Sequence, residues 1–138
     1  MIPKFRAWDK RRKEMWKVAT LHIEDEYADL FKTNIYEKPF DNPWAKFEDL
    51  ILMQSTGLKD KNGVEIFEGD IVAVENHPFQ KTKDSVAGID IEGNYEIGWN
   101  DYDMTWCAGD LLLARLKPYV TVKGNIYENL KLLEGAKE

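Results

Sequence analysis

The chain has 138 residues, of which 43% are hydrophobic and 12% aromatic, and a formal net charge of −6. This is the size of one ordinary domain with enough apolar material for a packed core, which excludes a disordered chain. No apolar run approaches the roughly 20 residues that span a bilayer, the first residues hold no apolar stretch of signal-peptide length, and the one cysteine, Cys107, cannot close an internal disulfide and fits a reducing cytoplasm.

Phe5–Asp9 and Glu14–Val18 are short runs of aromatic and apolar residues around Lys10-Arg11-Arg12-Lys13. They read as a β-hairpin with a charged loop, with a helix as the competing reading because β-branched residues are few. Between residues 19 and 49, Pro39 and Pro43 break any regular element and Asn42-Pro43 signals a turn. Glu24–Phe31 has room for two helical turns and Trp44–Asp49 for one. Leu50–Thr56 is an apolar run ended by Gly57. Asn62-Gly63 predicts a type I′ hairpin turn, in which both central residues take positive φ.

Glu68-Gly69 predicts a second turn. Ile71–Val74 follows as a strand apolar on both faces, and so central in its sheet. His77-Pro78 and the polar stretch to Ser85 read as a loop. Val86–Ile91 and Tyr95–Trp99 flank Glu92-Gly93-Asn94, and Tyr95, Ile97 and Trp99 share a face by period-two alternation. Leu111–Leu116 is a further apolar run and Tyr119–Tyr127 a further strand. Asn129 is placed to cap a short C-terminal helix with Leu130 and Leu133 on one face. Short strands with turns every 8–12 residues describe a mainly β fold, a small antiparallel barrel or sandwich with short helices, and not a βαβ array.

Charge is unevenly placed. Residues 1–20 hold seven basic groups (Lys4, Arg6, Lys10, Arg11, Arg12, Lys13, Lys17) against Asp9 and Glu14, about +5, which leaves about −11 for the remainder. From Asp84 to Asp110 there are seven acidic residues and no Lys or Arg.

Three segments carry a family signature: Phe5-Arg6-Ala7-Trp8-Asp9 with Met15-Trp16; Leu52 to Gly63 running on through Ile66-Phe67-Glu68-Gly69-Asp70-Ile71-Val72; and Gly124-Asn125-Ile126-Tyr127-Glu128-Asn129. In this order and spacing they resemble the YopX family of phage and prophage proteins, from end to end, with looser agreement over 19–49 and 76–118. Ser55 stands where an aromatic is common, and Leu130 where a proline is. The resemblance implies one domain over 1–138: an N-terminal hairpin and irregular region over 1–49, then a part over 50–138 similar to an SH3-type barrel with a short C-terminal helix. It carries over no catalytic or binding residue and no cofactor, because the family has no assigned activity. Within the central motif, Gly57, Gly63, Gly69 and Gly124 read as backbone-geometry positions and Asp60 and Asp70 as turn caps.

Chemistry is sparse. His22 with Asp25 or Glu26 is a thin basis for a metal site, which takes three or four ligands. Asn100-Asp101-Tyr102-Asp103 begins like a calcium loop, but Trp106 and Leu112 occupy the positions that need Gly and Glu. Cys107 has no base placed beside it by sequence, and there is no GxSxG, P-loop or GxGxxG. The expectation is therefore a non-enzymatic protein without metal or cofactor, cytoplasmic in a bacterial host and not membrane-bound. It would act by binding: as a homo-oligomer in which the basic residues Lys10, Arg11, Arg12 and Lys13 meet the acidic Asp101, Asp103 and Asp110 of a neighbour, or on a phage or host protein. The alternative is nucleic-acid binding, with Lys10–Lys13 on phosphates and Trp8 and Trp16 stacking on bases.

Overall fold

The computed structural model describes residues 3–32, 43–82 and 88–135. The chain divides into two compact units, Met1–Ser55 and Thr56–Glu138. By sequence the first carries ten basic and ten acidic residues and is neutral; the second carries nine against fifteen and so the whole net charge of −6.

The first unit is an antiparallel sheet. Strands β1 (Phe5–Asp9) and β2 (Glu14–His22) form the predicted hairpin, with Asp9 paired to Glu14. β3 (Tyr27–Phe31) follows, where two helical turns were expected. Its alternating burial, with Ala28 and Leu30 inside, is the period of a strand. β4 (Trp44–Lys46) is likewise a strand, and only Phe47–Asp49 closes a 3₁₀ turn. Pro39 and Asn42 lie outside the described residues. The first part of β5 (Leu50–Lys59) pairs with β1, completing the order β4-β3-β2-β1-β5. One face buries Ala7, Ala28, Leu30, Ala45 and Leu50, with Trp16, Val18 and Leu21 packed against them. A register shift between Val18 and Thr20 returns Leu21 to that face.

β5 does not stop at Gly57 but runs through it, Gly57 taking φ +79° inside the strand. The last residues of β5 and β6 (Glu65–Phe67) open the second unit. The connection between them is not the type I′ turn expected, because Gly63 has positive φ (+83°) and Asn62 does not. Asp60 organises it instead: Oδ1 accepts the Asn62 and Val64 N–H groups, and Oδ2 accepts Val122 N–H at 2.9 Å. A buried carboxylate thus ties the loop to a strand 62 residues away.

The Glu68-Gly69 turn is present, with Gly69 at φ +84°. It leads into β7 (Asp70–Val74), buried at every position and central as predicted, between β8 (Gly93–Asn100) and β11 (Val120–Asn125). Beyond β8 lie β9 (Thr105–Ala108) and β10 (Leu111–Leu112). Leu113–Leu116 then forms a single helical turn, α1, that buries Leu113 and Leu116. The strand expected over Val86–Ile91 is reduced, among the described residues, to one bridge between Ile89 and Gln80, whose side-chain Oε1 accepts the Ile91 and Glu92 N–H groups. The core of this unit is Ile66, Val72, Val74, Ile91, Ile97, Ala108, Leu113, Leu116 and Val120.

The C-terminal helix α2 (Lys131–Gly135) forms, and Asn129 meets its start through the backbone, Leu132 N–H donating to Asn129 O, while its side chain turns back to β11. Asn129 Oδ1 accepts Asn125 N–H, while Asn125 Oδ1 accepts Tyr127 and Glu128 N–H. Asn129 N–H donates in return to Asn125 O, closing an asparagine clasp beyond which Leu130 is exposed, not packed.

Candidate functional site

The Lys10–Lys13 loop is built by Asp9. A buried aspartate at the end of β1 accepts Arg11 and Arg12 N–H groups on Oδ1 and the Arg12 guanidinium on Oδ2 at 2.7 Å. Lys13 N–H returns to Asp9 O, and Lys13 takes φ +57° to re-enter β2. Burial disfavours the charge on Asp9, but the backbone donors and Arg12 outweigh it and hold the carboxyl below its usual range. All four basic side chains are exposed. Arg12 is thus partly spent on its own loop, while Arg11, 78% exposed, makes only a loose 3.8 Å approach to Asp49.

Beside the loop is an open depression of about 720 Å³, lined by Asp9, Arg11, Arg12, Pro43, Trp44, Ala45, Lys46, Glu48 and Asp49. Trp44, 58% exposed, is its aromatic wall. Tyr27 holds the indole edge-on at 5.7 Å, and His22 stacks on Tyr27 at 4.0 Å. His22 Nε2 lies 2.8 Å from Asp29, so its carboxylate partner is Asp29 and not Asp25 or Glu26. Among the described residues, no three His, Cys, Asp or Glu side chains cluster as metal ligands would.

Trp8 and Trp16 do not join this site together. Trp16 pairs with Ala7, and Trp8 with Met15 and Ile51, so the two indoles lie on opposite faces of the sheet. Trp16 packs on the core, and Lys32 Nζ caps its ring at 4.2 Å.

The acidic residues sit on a second hairpin tip of the same construction. Asn100 pairs with Thr105 as Asp9 pairs with Glu14, each pair enclosing four residues. Asn100 Oδ1 accepts Asp103 N–H, and Met104, the fourth loop residue, has φ +53° where Lys13 has +57°. The residues that resembled a calcium loop are thus a turn between β8 and β9. Its sequence is Asp101-Tyr102-Asp103-Met104, with Tyr102 95% and Met104 70% exposed. Trp99, also exposed, stands edge-on to Trp106 at 5.2 Å. Asp110 is exposed nearby in sequence and lines a shallow depression of about 490 Å³ with Glu96, Trp99, Asp101 and Cys107. Cys107 is itself 2% exposed, and burial, then the charges of Asp103 and Asp110, push its thiol pKa up.

The residues that sequence reasoning missed are Trp44, Trp99, Tyr102 and Met104. For Tyr102 a signal was present: an aromatic between two acids just after a turn-forming Asn marks a loop tip.

The chain matches the family described as YopX protein over residues 4–134. It belongs to the YopX family. Its fold is similar to the crystal structure of protein EF1440 from Enterococcus faecalis, with 32% sequence identity, a TM-score of 0.61, and coverage of 96% of this chain and 99% of that one. No curated protein matches it. The YopX signature residues occupy structural positions: Asp60 and Asp70 cap turns, Gly69 bends one, and Asn125 and Asn129 close the clasp. The two hairpin tips fall outside the signature's glycines and caps, so the surface chemistry of this YopX chain is carried by residues other than those that identify it.

Proposed function

We propose that this chain is a non-enzymatic phage or prophage accessory protein, cytoplasmic in its bacterial host, that works by protein–protein contact through the β8–β9 loop. The carrying observation is the exposure of Tyr102, Met104 and Trp99 on a tip whose only charges are Asp101 and Asp103. Large side chains held in water on an ordered turn, rimmed by one sign of charge, are the composition of a contact surface for a basic partner. The raised pKa and burial of Cys107 support the non-enzymatic part, since the thiolate is the nucleophile. The bacterial source of the similar EF1440 structure supports the setting.

The test is an amide NMR titration with a Lys/Arg-rich peptide carrying one aromatic residue, beside an acidic peptide of the same length. Shifts confined to residues 99–110, and seen with the basic peptide alone, are expected. No shift, or equal shifts with both peptides, overturns the reading. Nucleic-acid binding keeps the four exposed cations of Lys10–Lys13 in its favour, but Trp8 and Trp16 on opposite faces cannot stack on one strand. A single-stranded oligonucleotide in the same titration reads it at residues 10–13.

A further inference from the structure

The two hairpin tips are alike in backbone and opposite in charge. One, Lys10–Lys13, borders a depression; the other, Asp101–Met104, projects a tyrosine. We infer that the β8–β9 loop of one copy docks into the depression beside the β1–β2 loop of a second copy, with Tyr102 against Trp44 and Asp101 and Asp103 facing Arg11 and Lys46. The inference rests on the β8–β9 loop being the contact surface, and it names the occupant.

Three observations support it. The depression has an aromatic wall already held in place: Tyr27 fixes Trp44 from one side and leaves the indole 58% exposed for another ring. Aromatic pairs in offset or edge-on geometry gain beyond the area they bury. Second, the accessible charge around the depression is positive. Asp9 and Arg12 hold each other, and over the depression and the adjoining loop together Lys10, Arg11, Lys13 and Lys46 outnumber the exposed Glu48 and the half-buried Asp49. An acidic guest meets complementary charge there, while a basic guest would be repelled. Third, the guest has the matching order: Tyr102 lies between Asp101 and Asp103, so a ring that enters the depression brings one carboxylate to each side of it.

Glu48 is the exception. It is exposed, lines the depression and opposes an acidic guest. Its removal must therefore strengthen the contact, a sign that a merely structural role would not produce. The contact joins two different surfaces, so it propagates from copy to copy. One loop in one depression is small for a specific interface, below about 1,200 Å² of total buried area. Association is therefore weak and concentration-dependent, and salt weakens it because its charges are exposed.

Sedimentation of the full chain at low and high salt tests this. The mass at low salt is expected to exceed that of one chain, and to fall to one chain as salt rises. Tyr102→Ser and Trp44→Ala are each expected to be monomeric at low salt with an unchanged circular dichroism spectrum, since both side chains are exposed. Mixed in equal amounts, the two variants should form a one-to-one pair and nothing larger, because each keeps the half of the contact that the other lacks. Glu48→Gln should raise the association constant about two- to five-fold. A monomer at every concentration and salt, or no pair on mixing, overturns the inference. If the chain stays monomeric while residues 99–110 still respond to the basic peptide, the loop is a contact surface and the second copy is the wrong occupant. If neither occurs, the reading of the loop falls as well.

Discussion

Asp9 Oδ2 and Arg12 Nη1 meet at 2.7 Å across the tip of the β1–β2 hairpin. The pair turns a run of four cations into an ordered loop in which one guanidinium is held by the protein itself. It also fixes the backbone, because Oδ1 of the same carboxylate takes the Arg11 and Arg12 N–H groups. Asp9→Ala is expected to cost about 1–2 kcal/mol, since the backbone donors it abandons are at an exposed tip that water can reach. Urea unfolding measures the loss. Arg12→Ala should cost less, because a half-exposed ion pair is worth under about 1 kcal/mol.

Asp60 has the larger structural task. Three N–H groups converge on it, and its side chain is 5% exposed. Asp60→Ala strands those donors and is expected to cost about 2–4 kcal/mol. Asp60→Asn is a sharper probe: the amide keeps one acceptor oxygen, but its NH₂ cannot accept Val122 N–H. The variant should lose the tie to β11 while keeping part of the turn, so its urea midpoint should fall between wild type and alanine.

Asp9 and Asp60 also contribute to the stability of the fold in acid. Burial works against both charges, yet the hydrogen bonds prevail and hold both carboxyls below the ordinary aspartate range. In the unfolded chain both return to ordinary aspartate values, so below that pH the unfolded state binds more protons. Their contribution is therefore complete above the unfolded pKa and is lost as pH falls through the folded one. Urea midpoints from pH 6 to pH 2.5 should be flat down to about 4 and then drop, and the drop should be shallower in Asp60→Asn.

Much of the fold was legible because it depends on local signals. The β1–β2 hairpin, the Glu68-Gly69 turn and the central β7 follow from alternation, turn residues and an apolar run. Tyr27–Phe31 was misread because Glu24-Asp25-Glu26 in front of it resembles a helix start, whereas Ala28 and Leu30 alternate as strand residues and pair with β2. Asn62-Gly63 was misread because a carboxylate two residues earlier captured the loop, and its third partner, Val122, is far off in sequence. The two hairpin-tip loops were legible in charge and illegible in exposure. Trp8 and Trp16 flank the basic run in sequence, but only the pairing register shows that they point to opposite faces, and nothing local marks Trp44 as the indole beside Arg11.

Gly124 and Asn129 provide the last test, because they separate a packing constraint from a hydrogen-bonding one. A Cβ built on Gly124 collides with the Asn129 side chain, whose Oδ1 holds Asn125 N–H. Gly124 has ordinary backbone dihedrals, so a new methyl group meets no φ penalty there, only the asparagine. Gly124→Ala is expected to destabilise by about 1–3 kcal/mol, the usual cost of overpacking. Asn129→Ala removes the nearest part of the obstacle, Oδ1 and Cγ, and with it the acceptor, and should cost about 1 kcal/mol. In the double variant the two closest clashes, with Oδ1 and Cγ, are gone and only the Cβ of residue 129 remains close, so the combined loss should be smaller than the sum of the two single losses. Urea unfolding of the four proteins measures the coupling. Simple additivity would mean that the glycine is needed for some reason other than the asparagine that folds back over it.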